Sequence, residues 1–279
     1  MNYRHSFHAG SSADVFKHIV LTLILEALQA KPAPFCVIDT HAGSGLYPIE
    51  GSGEYQQGIG LLWPQRQNWP VFARYFACID RLNGKKKLSR YPGSPLIISE
   101  FLRPQDRAVF LELHPQDYEL LKLHVAEIKN TAVHLNNAWQ ALKAFIPPKE
   151  NRGLVLIDPP YEQADEFEKI GAVLEHSLRH WRNGIYAVWY PVKERRAIEK
   201  LHKAIRGMGG QGYAVELTTL PTDVEQRLNG SGLILINPPW TLQATLKQVL
   251  PGLATLFAGG EGKAGVRFID LDATSKAGN

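Results

Sequence analysis

The stretch GLVLIDPPYE, residues 153–162, contains an apolar run and the turn that ends it. Four consecutive aliphatic residues without polar alternation are typical of a strand that is covered on both faces, as in the parallel sheets of α/β proteins. Aspartate and two prolines then end the run, because proline cannot donate to a sheet ladder. The stretch therefore predicts a buried strand with Asp158 at its carboxyl end.

Six further apolar runs occur along the chain, and helix-length amphipathic segments separate most of them. This alternation predicts an α/β fold of the Rossmann-like kind, with seven strands covered by helices on both faces. The predicted strands are Phe35–Asp39, Ala108–Leu113, Ala132–Leu135, Gly153–Asp158, Gly184–Tyr190, Tyr213–Leu220 and Gly232–Asn237. The predicted helices are Ser12–Gln29, Asp117–Lys129, Trp139–Phe145, Ala164–His180 and Lys193–Met208.

The domain organisation follows from the spacing of these runs. No linker divides the chain, so residues 1–279 are predicted to form a single domain that begins with an N-terminal tail and helix, residues 1–30. The first two strands are separated by far more residues than one helix needs. We therefore predict a subdomain inserted at about residues 48–105.

Composition excludes several protein classes. With 44% hydrophobic and 21% charged residues, the chain has the balance of an ordinary soluble globular protein. Its two cysteines, Cys36 and Cys78, lack the spacing of a disulfide framework or a zinc site. The apolar N-terminal stretch is interrupted by Glu26, unlike a signal peptide or a membrane span. We expect a cytoplasmic protein without a metal ion and without a membrane partner.

Basic residues are clustered rather than evenly distributed. The net charge of +4 favours an anionic partner only weakly, but GKKKLSR at residues 84–90 and KERR at residues 193–196 are local clusters. Lys85, Lys86, Lys87 and Arg90 are candidates for nonspecific phosphate contacts. Ordinary solvated faces explain the same clusters equally well.

The first predicted strand leads into a turn of small residues, DTHAGSGLY at positions 39–47. Gly43 and Gly45 would let a cofactor approach the backbone at the carboxyl end of this strand. The third glycine of a dinucleotide fingerprint is missing. The turn therefore suits a nucleotide-like ligand without a pyrophosphate, such as S-adenosylmethionine.

Two neighbouring strand ends offer further ligand groups. Glu112 ends the second predicted strand, where a carboxylate can accept both hydrogen bonds of a ribose diol, although a solvated strand-end acid is equally ordinary. Asn137 and Trp139 follow the third strand and could meet an adenine ring. Neither pattern alone identifies a site.

The turn DPPY, residues 158–161, carries the most specific chemistry. Prolines stiffen the turn, so the Asp158 carboxylate and the Pro159 carbonyl can act as two acceptors that face one point. An exocyclic amino group offers two hydrogens to such a pair, and its lone pair then turns out of conjugation toward an electrophile. Tyr161 can stack on the face of an extruded base.

With these motifs, the chain resembles the S-adenosylmethionine-dependent amino methyltransferases that act on adenine N6 or cytosine N4. More specifically, it is similar to the bacterial RlmJ-type methyltransferases of 23S ribosomal RNA. The resemblance covers nearly the full length, through YRHSFHAG, ADVFKH, DTHAGSG, YPGSPLI, ELHP, LIDPPYE, WYP and INPPW.

The resemblance implies a function and a set of site residues. It implies a seven-stranded methyltransferase sheet, S-adenosylmethionine as cofactor and methylation of an adenine N6 in 23S ribosomal RNA by an enzyme that we expect to be monomeric. Asp158 is the expected catalytic residue, assisted by Pro159 and Tyr161, and Tyr3 with Arg4 is expected to touch RNA from a mobile tail. The expected cofactor residues are His18, His41, Gly43, Gly45, Ser94, Glu112, Asn137, Ala138 and Asp158, with Asn137-Ala138 standing where Asp-Gly is usual in the family.

Three alternatives stay open on the residues alone. DPPY does not distinguish RNA from DNA, so a DNA adenine-N6 or cytosine-N4 methyltransferase is the first alternative. A nicotinamide-dependent oxidoreductase on the same sheet is the second, although the missing glycine argues against it. A binding protein without catalysis is the third.

A second phrase, GLILINPPW at residues 232–240, nearly repeats the first. In the sheet that the resemblance implies, its strand is antiparallel and joined to the preceding one by a hairpin, so its carboxyl end points away from the crevice in which such sheets bind ligands. We therefore predict that Asn237 is silent in catalysis and that Trp240 packs on or caps the bottom of the sheet.

Overall fold

The computed structural model describes residues 7–49, 52–84, 87–220, 228–259 and 264–272. Its strands are β1 Phe35–Asp39, β2 Leu46–Pro48, β3 Arg90–Pro92, β4 Arg107–Glu112, β5 Thr131–Leu135, β6 Arg152–Ile157, β7 Ile185–Pro191, β8 Gly212–Thr218, β9 Gly230–Ile236 and β10 Gly265–Asp270. Its α-helices are α1 Ser12–Gln29, α2 Ile59–Leu62, α3 Ala73–Asn83, α4 Ser94–Glu100, α5 Pro115–His124, α6 Ala138–Phe145, α7 Glu166–His180, α8 Arg195–Gly207 and α9 Leu242–Phe257.

The main sheet within these residues has eight strands in the order β10-β8-β9-β7-β6-β1-β4-β5. Strands β5, β4, β1, β6 and β7 are parallel to one another. β9 is antiparallel to both β7 and β8, and β10 is antiparallel to β8. The Rossmann-like arrangement and the hairpin-like pairing of β8 with β9 are as predicted.

All seven predicted strands are present, and the count of seven was one too low. β10 adds an edge strand, and α9 was not predicted either. The predicted helix Asp117–Lys129 lies instead at Pro115–His124. β10 pairs only with β8 and its residues are exposed or half-buried, so it lacks the continuous apolar run that reveals the inner strands.

Burial on both faces of the sheet explains those continuous runs. Along β6, Leu154 and Leu156 belong to one core cluster, while Val155 and Ile157 belong to the other. The helix α1 packs into the first cluster, and α7 and α8 pack into the second. Side chains alternate between the two faces of a strand. When both faces are covered, every position favours an apolar residue, and the strand appears in the sequence as a continuous apolar run.

The chain between β1 and β4 forms the pair of strands β2 and β3, several short helices, α3 and α4. It contacts the N-terminal segment closely at Gly58. The backbone N–H of Ile59 donates to the Gly10 carbonyl over 2.8 Å, and a Cβ added at Gly58 would lie 2.2 Å from that same oxygen. The chain between β1 and β4 therefore packs directly against the segment that leads into α1.

The second proline phrase lies at the opposite edge of the sheet from Asp158. Asn237 has a φ of 52° and donates from Nδ2 to the carbonyls of Arg182 and Gly184, which precede β7, over 2.8 Å. Trp240 is 92% exposed, so the prediction that it packs on the sheet was wrong. The reason is that the Asn237 amide already satisfies the carbonyls at this edge.

Candidate active site

A cavity of about 420 Å³ opens at the carboxyl ends of β1, β4, β5, β6 and β7. The start of α1 and Glu54 close one side of it. Ligands of open α/β sheets bind at this edge, where the chain crosses to either face of the sheet. Most of the predicted site residues line this one cavity.

The turn after β1 is held by Glu112. Gly43 has a φ of 63°, and its backbone N–H donates to Glu112 Oε2 over 2.7 Å. The His114 N–H donates to Glu112 Oε1, also over 2.7 Å. Burial raises the pKa of Glu112, and both N–H groups oppose that shift. Each carboxylate oxygen retains a lone pair that can accept a ligand hydroxyl.

Gly43 is required where it stands, whereas Gly45 has a structural role. A Cβ at Gly43 would lie 2.2 Å from the Tyr47 hydroxyl oxygen, so a side chain there would displace Tyr47 from the cavity wall. Gly45 does not line the cavity, and its carbonyl accepts the Gly93 N–H over 2.8 Å. Direct cofactor contact by Gly45 stays a prediction.

The cavity wall beside this turn is aromatic and uncharged. The ring centroids of His41 and Trp139 are 5.1 Å apart, and Thr40 Oγ1 lies 2.8 Å from His41 Nδ1. Burial lowers the pKa of His41 to about 3. The imidazole is therefore neutral at physiological pH and suits an apolar or neutral ring.

His18, on α1, and Ser94, at the start of α4, line the part of the cavity wall that these two helices form. His18 Nδ1 lies 2.9 Å from the Tyr91 hydroxyl oxygen. Burial raises the pKa of Asp39 to about 7, against the opposing effect of the nearby Ser94 hydroxyl. Asp39 supports the wall from behind.

Asn137 and Ala138 also line the cavity. Asn137 caps α6, because its Oδ1 accepts the Trp139 N–H over 2.9 Å. The side-chain oxygen that was expected to meet an adenine ring is therefore engaged in the helix cap. The amide NH₂ remains available to a ligand.

Asp158 follows β6 and forms a buried ion pair that the sequence did not predict. Lys17 Nζ, on α1, donates to Asp158 Oδ2 and to Asp14 Oδ1, the latter over 2.9 Å. The Lys17 side chain is only 6% exposed. Burial lowers the pKa of Lys17, but Asp14 and Asp158 more than offset this and hold it well above its usual value.

Tyr161 completes the DPPY turn in a left-handed conformation, with a φ of 54°. Its hydroxyl donates to the Trp189 carbonyl over 2.6 Å. Its ring centroid lies 5.1 Å from that of Phe167 and 5.7 Å from that of Trp189. The hydroxyl is thus engaged, and Tyr161 can serve a substrate through its ring.

Comparison with known proteins identifies the family. Residues 32–270 match the family model described as RsmJ, ribosomal RNA large subunit methyltransferase D, RlmJ. The chain belongs to the RlmJ family.

Two curated relatives of this RlmJ-family protein carry the name ribosomal RNA large subunit methyltransferase J. The Haemophilus influenzae protein is 44% identical over 277 residues, which cover 96% of this chain and 99% of the relative. The Escherichia coli protein is 40% identical over 276 residues, again 96% and 99% of the two chains. A crystal structure of a Legionella pneumophila protein is 35% identical, with a TM-score of 0.89 and coverage of 94% and 98%.

Of the six predicted RNA-binding residues of the RlmJ-family protein, the structure describes only two. Tyr3, Arg4, Lys85 and Lys86 lie outside the described residues. Lys87 and Arg90 are exposed and do not line the cavity. The same part of the chain contributes Glu54, whose Oε2 lies 3.0 Å from His8 Nδ1 at the cavity mouth. Contact with RNA through the four cations stays a prediction.

No helix in the described ranges has the length and apolarity that a membrane span requires. Within the same ranges, no three histidine, cysteine, aspartate or glutamate side chains are grouped as metal ligands.

The sequence missed Lys17 and Asp14 as site residues. The available indication was a charged pair at i and i+3 within α1, among residues that are mostly apolar.

Proposed function

We propose that this chain transfers the methyl group of S-adenosylmethionine to N6 of an adenine in 23S ribosomal RNA. The observation that carries the proposal is the DPPY turn, whose Asp158 lines the same cavity as Gly43 and Glu112. Family membership supports the ribosomal RNA substrate. A nucleotide cofactor and an amino group to be methylated can therefore meet at one strand edge.

The residues present fit S-adenosylmethionine. Glu112 can accept the ribose hydroxyls through its remaining lone pairs, and the backbone of Gly43 lines the cavity beside it. His41, Ala138 and Trp139 offer a neutral wall for the adenine ring. When bound, the cofactor supplies a methyl group on a positively charged sulfur.

Asp158 is the group that we infer to orient the target nitrogen. Lys17 binds Oδ2, so the second carboxylate oxygen remains to accept one hydrogen of the adenine amino group. The Pro159 carbonyl accepts the other, because proline stiffens the turn and offers no competing donor. The nitrogen lone pair then points away from both acceptors and forms the new N–C bond as the methyl–sulfur bond breaks.

The charge around Asp158 favours this step. Asp14 and Asp158 contribute two negative charges and Lys17 one positive charge, which leaves one net negative charge beside the nitrogen. A nitrogen that gains a methyl group becomes positive until its proton leaves to water or to a carboxylate. A fixed negative charge in a site of low dielectric stabilises that state.

Transfer of labelled methyl groups tests the proposal. Purified protein is incubated with methyl-labelled S-adenosylmethionine and either a 23S ribosomal RNA transcript or a DNA of the same sequence, and the digested nucleosides are separated. We expect label in N6-methyladenosine from the RNA. Label in DNA alone, or in a methylated cytosine, would support the first alternative and contradict the proposal.

Thermal stability with each cofactor tests the cofactor assignment. S-adenosylmethionine should raise the midpoint of unfolding, because a ligand that binds only the folded state stabilises it. NAD should leave the midpoint unchanged. The reverse result would support the oxidoreductase alternative.

A further inference from the structure

Two buried polar atoms beside Tyr161 have no hydrogen-bond partner within the described part of the chain. They are Glu166 Oε2 and Trp189 Nε1. Glu166 is only 4% exposed, yet both residues line the active-site cavity. Burying a polar atom without a partner is unfavourable, so such a pair in a cavity wall indicates a ligand that supplies the missing partners.

These two atoms lie on the substrate side of Asp158. Glu166 opens α7, which follows β6, and Trp189 lies on β7. The cofactor turn and Glu112 follow β1 and β4, on the other side of β6 in the sheet. The ring of Trp189 contacts that of Tyr161, and the charge of Glu166 adds to the effect of burial in raising the pKa of Tyr161. The pair therefore flanks the residue expected to touch the target base.

The chemistry of the pair selects its ligand. An indole N–H can only donate, and a carboxylate can only accept. One ligand group that reaches both atoms must therefore accept one hydrogen bond and donate another. In an adenine nucleotide within a chain, the ring nitrogens only accept, the amino hydrogens face Asp158 and Pro159, and the 3′ and 5′ oxygens are esterified. The ribose 2′-hydroxyl is the group that remains.

We propose that Glu166 and Trp189 bind the 2′-hydroxyl of the target nucleotide and thereby select RNA over DNA. The indole N–H of Trp189 donates to the hydroxyl oxygen, and the hydroxyl donates to Glu166 Oε2. The inference rests on the proposed function, since it takes an adenine nucleotide as the substrate. A 2′-hydroxyl is the feature by which a protein can distinguish RNA from DNA at one nucleotide.

The surroundings of Glu166 support this assignment. The backbone N–H of Gln163 lies near the carboxyl and lowers its pKa. Within the described residues, Oε2 has no hydrogen-bond partner. Burial raises the pKa of Glu166 to about 7, against the effect of the Gln163 N–H. A hydroxyl donor at Oε2 would stabilise the ionised carboxylate.

A cycle that pairs enzyme variants with substrate variants tests the proposal. The methylated adenine is first mapped on a 23S transcript, and a short RNA hairpin around it is then synthesised with either adenosine or 2′-deoxyadenosine at that one position. The ratio of kcat/KM for the two hairpins is measured for the wild type, Glu166→Met and Trp189→Phe. Both variants delete the hydrogen-bonding atom and keep an apolar side chain of similar size.

We expect the wild type to prefer the adenosine hairpin by roughly tenfold or more, as for other sites built to bind a hydroxyl. Each variant should lower this ratio toward one by losing activity on the adenosine hairpin alone. A partly unfolded variant lowers both rates equally, so the ratio does not depend on the folded fraction. If Glu166→Met shows no turnover, Glu166→Gln should still lower the ratio, because it removes the charge of the acceptor.

The control is Glu168→Met. Glu168 lies in the same first turn of α7 but is 67% exposed, and it does not line the cavity. Its replacement removes the same charge from the same helix end and should leave the ratio at the wild-type value.

Two results would overturn the inference. They are equal wild-type activity on the two hairpins, and a ratio that stays at the wild-type value in Glu166→Met and Trp189→Phe because any loss is equal on both hairpins. The last result would assign the pair to the base edge or to the fold. Failure of the proposed function would appear earlier, as a wild-type enzyme that forms no N6-methyladenosine in the transcript.

Discussion

Among the described residues, Lys17 acts most directly on the Asp158 carboxylate, because the two side chains form an ion pair. Its ammonium joins Asp14 on the same helix to Asp158 at the end of β6, and all three side chains are buried or nearly so. A buried charge that loses its partner is strongly unfavourable, whereas the paired charges tolerate burial. The lysine therefore fixes both the position of the carboxylate and its compatibility with a cavity of low polarity.

Replacing Lys17 by methionine should impair both stability and turnover. The two carboxylates would then lose the buried positive charge that they share, at a cost of about 3–5 kcal/mol in the free energy of unfolding. Turnover should fall by roughly a hundredfold because Asp158 is no longer held in place. Thermal unfolding and methyl-transfer assays measure the two effects. The control is Lys122→Met, which alters an exposed pair with Glu119. Wild-type turnover in a folded Lys17→Met protein would contradict the role given to Lys17.

At this scale the motifs drew attention to one half of the ion pair between Lys17 and Asp158. DPPY identified Asp158 because proline restricts a turn locally, and local restriction is visible in the sequence. Lys17 is separated from Asp158 by 141 residues, and only the packing of α1 against the sheet brings the two together. Glu166 and Trp189 were not predicted for the same reason, since their surroundings are formed by three elements.

At the scale of elements, the inner strands were predictable and the edges were not. β1, β6 and β7 are almost wholly buried, so each reads as a continuous apolar run. β10 lies at an edge and includes Arg267 and Asp270, which weakens that pattern. The helix α9 contains Pro251, a residue that usually marks a helix boundary. At β10 and α9 the local sequence pattern therefore did not predict the structure, because tertiary packing determines it there.

The contact between Gly58 and the N-terminal segment should not tolerate a side chain. A Cβ at Gly58 would lie 2.2 Å from the Gly10 carbonyl oxygen and 2.6 Å from the Ser12 nitrogen. We expect Gly58→Ala to destabilise the protein by roughly 1–3 kcal/mol, which lowers the unfolding midpoint by several degrees. Cofactor affinity, measured by calorimetry, should also fall because the start of α1 moves with Lys17.

Gly207→Ala is the matched control for Gly58→Ala. It lies at the end of α8, where an added Cβ would meet no atom within 4 Å. An unfolding midpoint that shifts equally in the two variants would mean that the close approach at Gly58 does not constrain the fold.

The pair formed by His8 and Glu54 should make stability depend on pH. The hydrogen bond to Glu54 is the main cause of the raised pKa of His8, and burial partly opposes it. A histidine whose pKa is raised on folding stabilises the protein fully below its unfolded pKa of about 6.5 and loses that contribution as the pH rises through the raised value. Both side chains are more than a third exposed, so the effect should be small.

Thermal unfolding of the wild type and Glu54→Gln at about pH 5.5 and pH 9 measures this contribution. The wild type should be the more stable protein at the lower pH, and the difference should disappear at the higher pH. A difference that grows with pH would contradict the assignment of the charge to His8.

At the scale of the whole molecule, the cavity lies at the carboxyl ends of the parallel strands, and the cations between β1 and β4 are the predicted extension of the RNA-binding surface. We expect replacement of Lys85, Lys86, Lys87 and Arg90 by alanine to weaken RNA binding. The slope of log K against log salt should decrease by about 0.7–0.9 for each phosphate that the protein no longer neutralises. Affinity for S-adenosylmethionine should not change. An unchanged salt slope would place the RNA surface elsewhere.

The two proline phrases give the central claim its most direct measurement. Asp158 lies in the cavity, and Asn237 lies at the opposite edge, where it caps two carbonyls. N6-methyladenosine in 23S ribosomal RNA is quantified in a strain that lacks the protein and is complemented with the wild type, Asp158→Ala or Asn237→Ala. We predict that the wild type and Asn237→Ala restore the modification, and that Asp158→Ala, with turnover reduced by about a hundredfold or more, does not. Restoration by a folded Asp158→Ala protein together with its loss in Asn237→Ala would contradict the account.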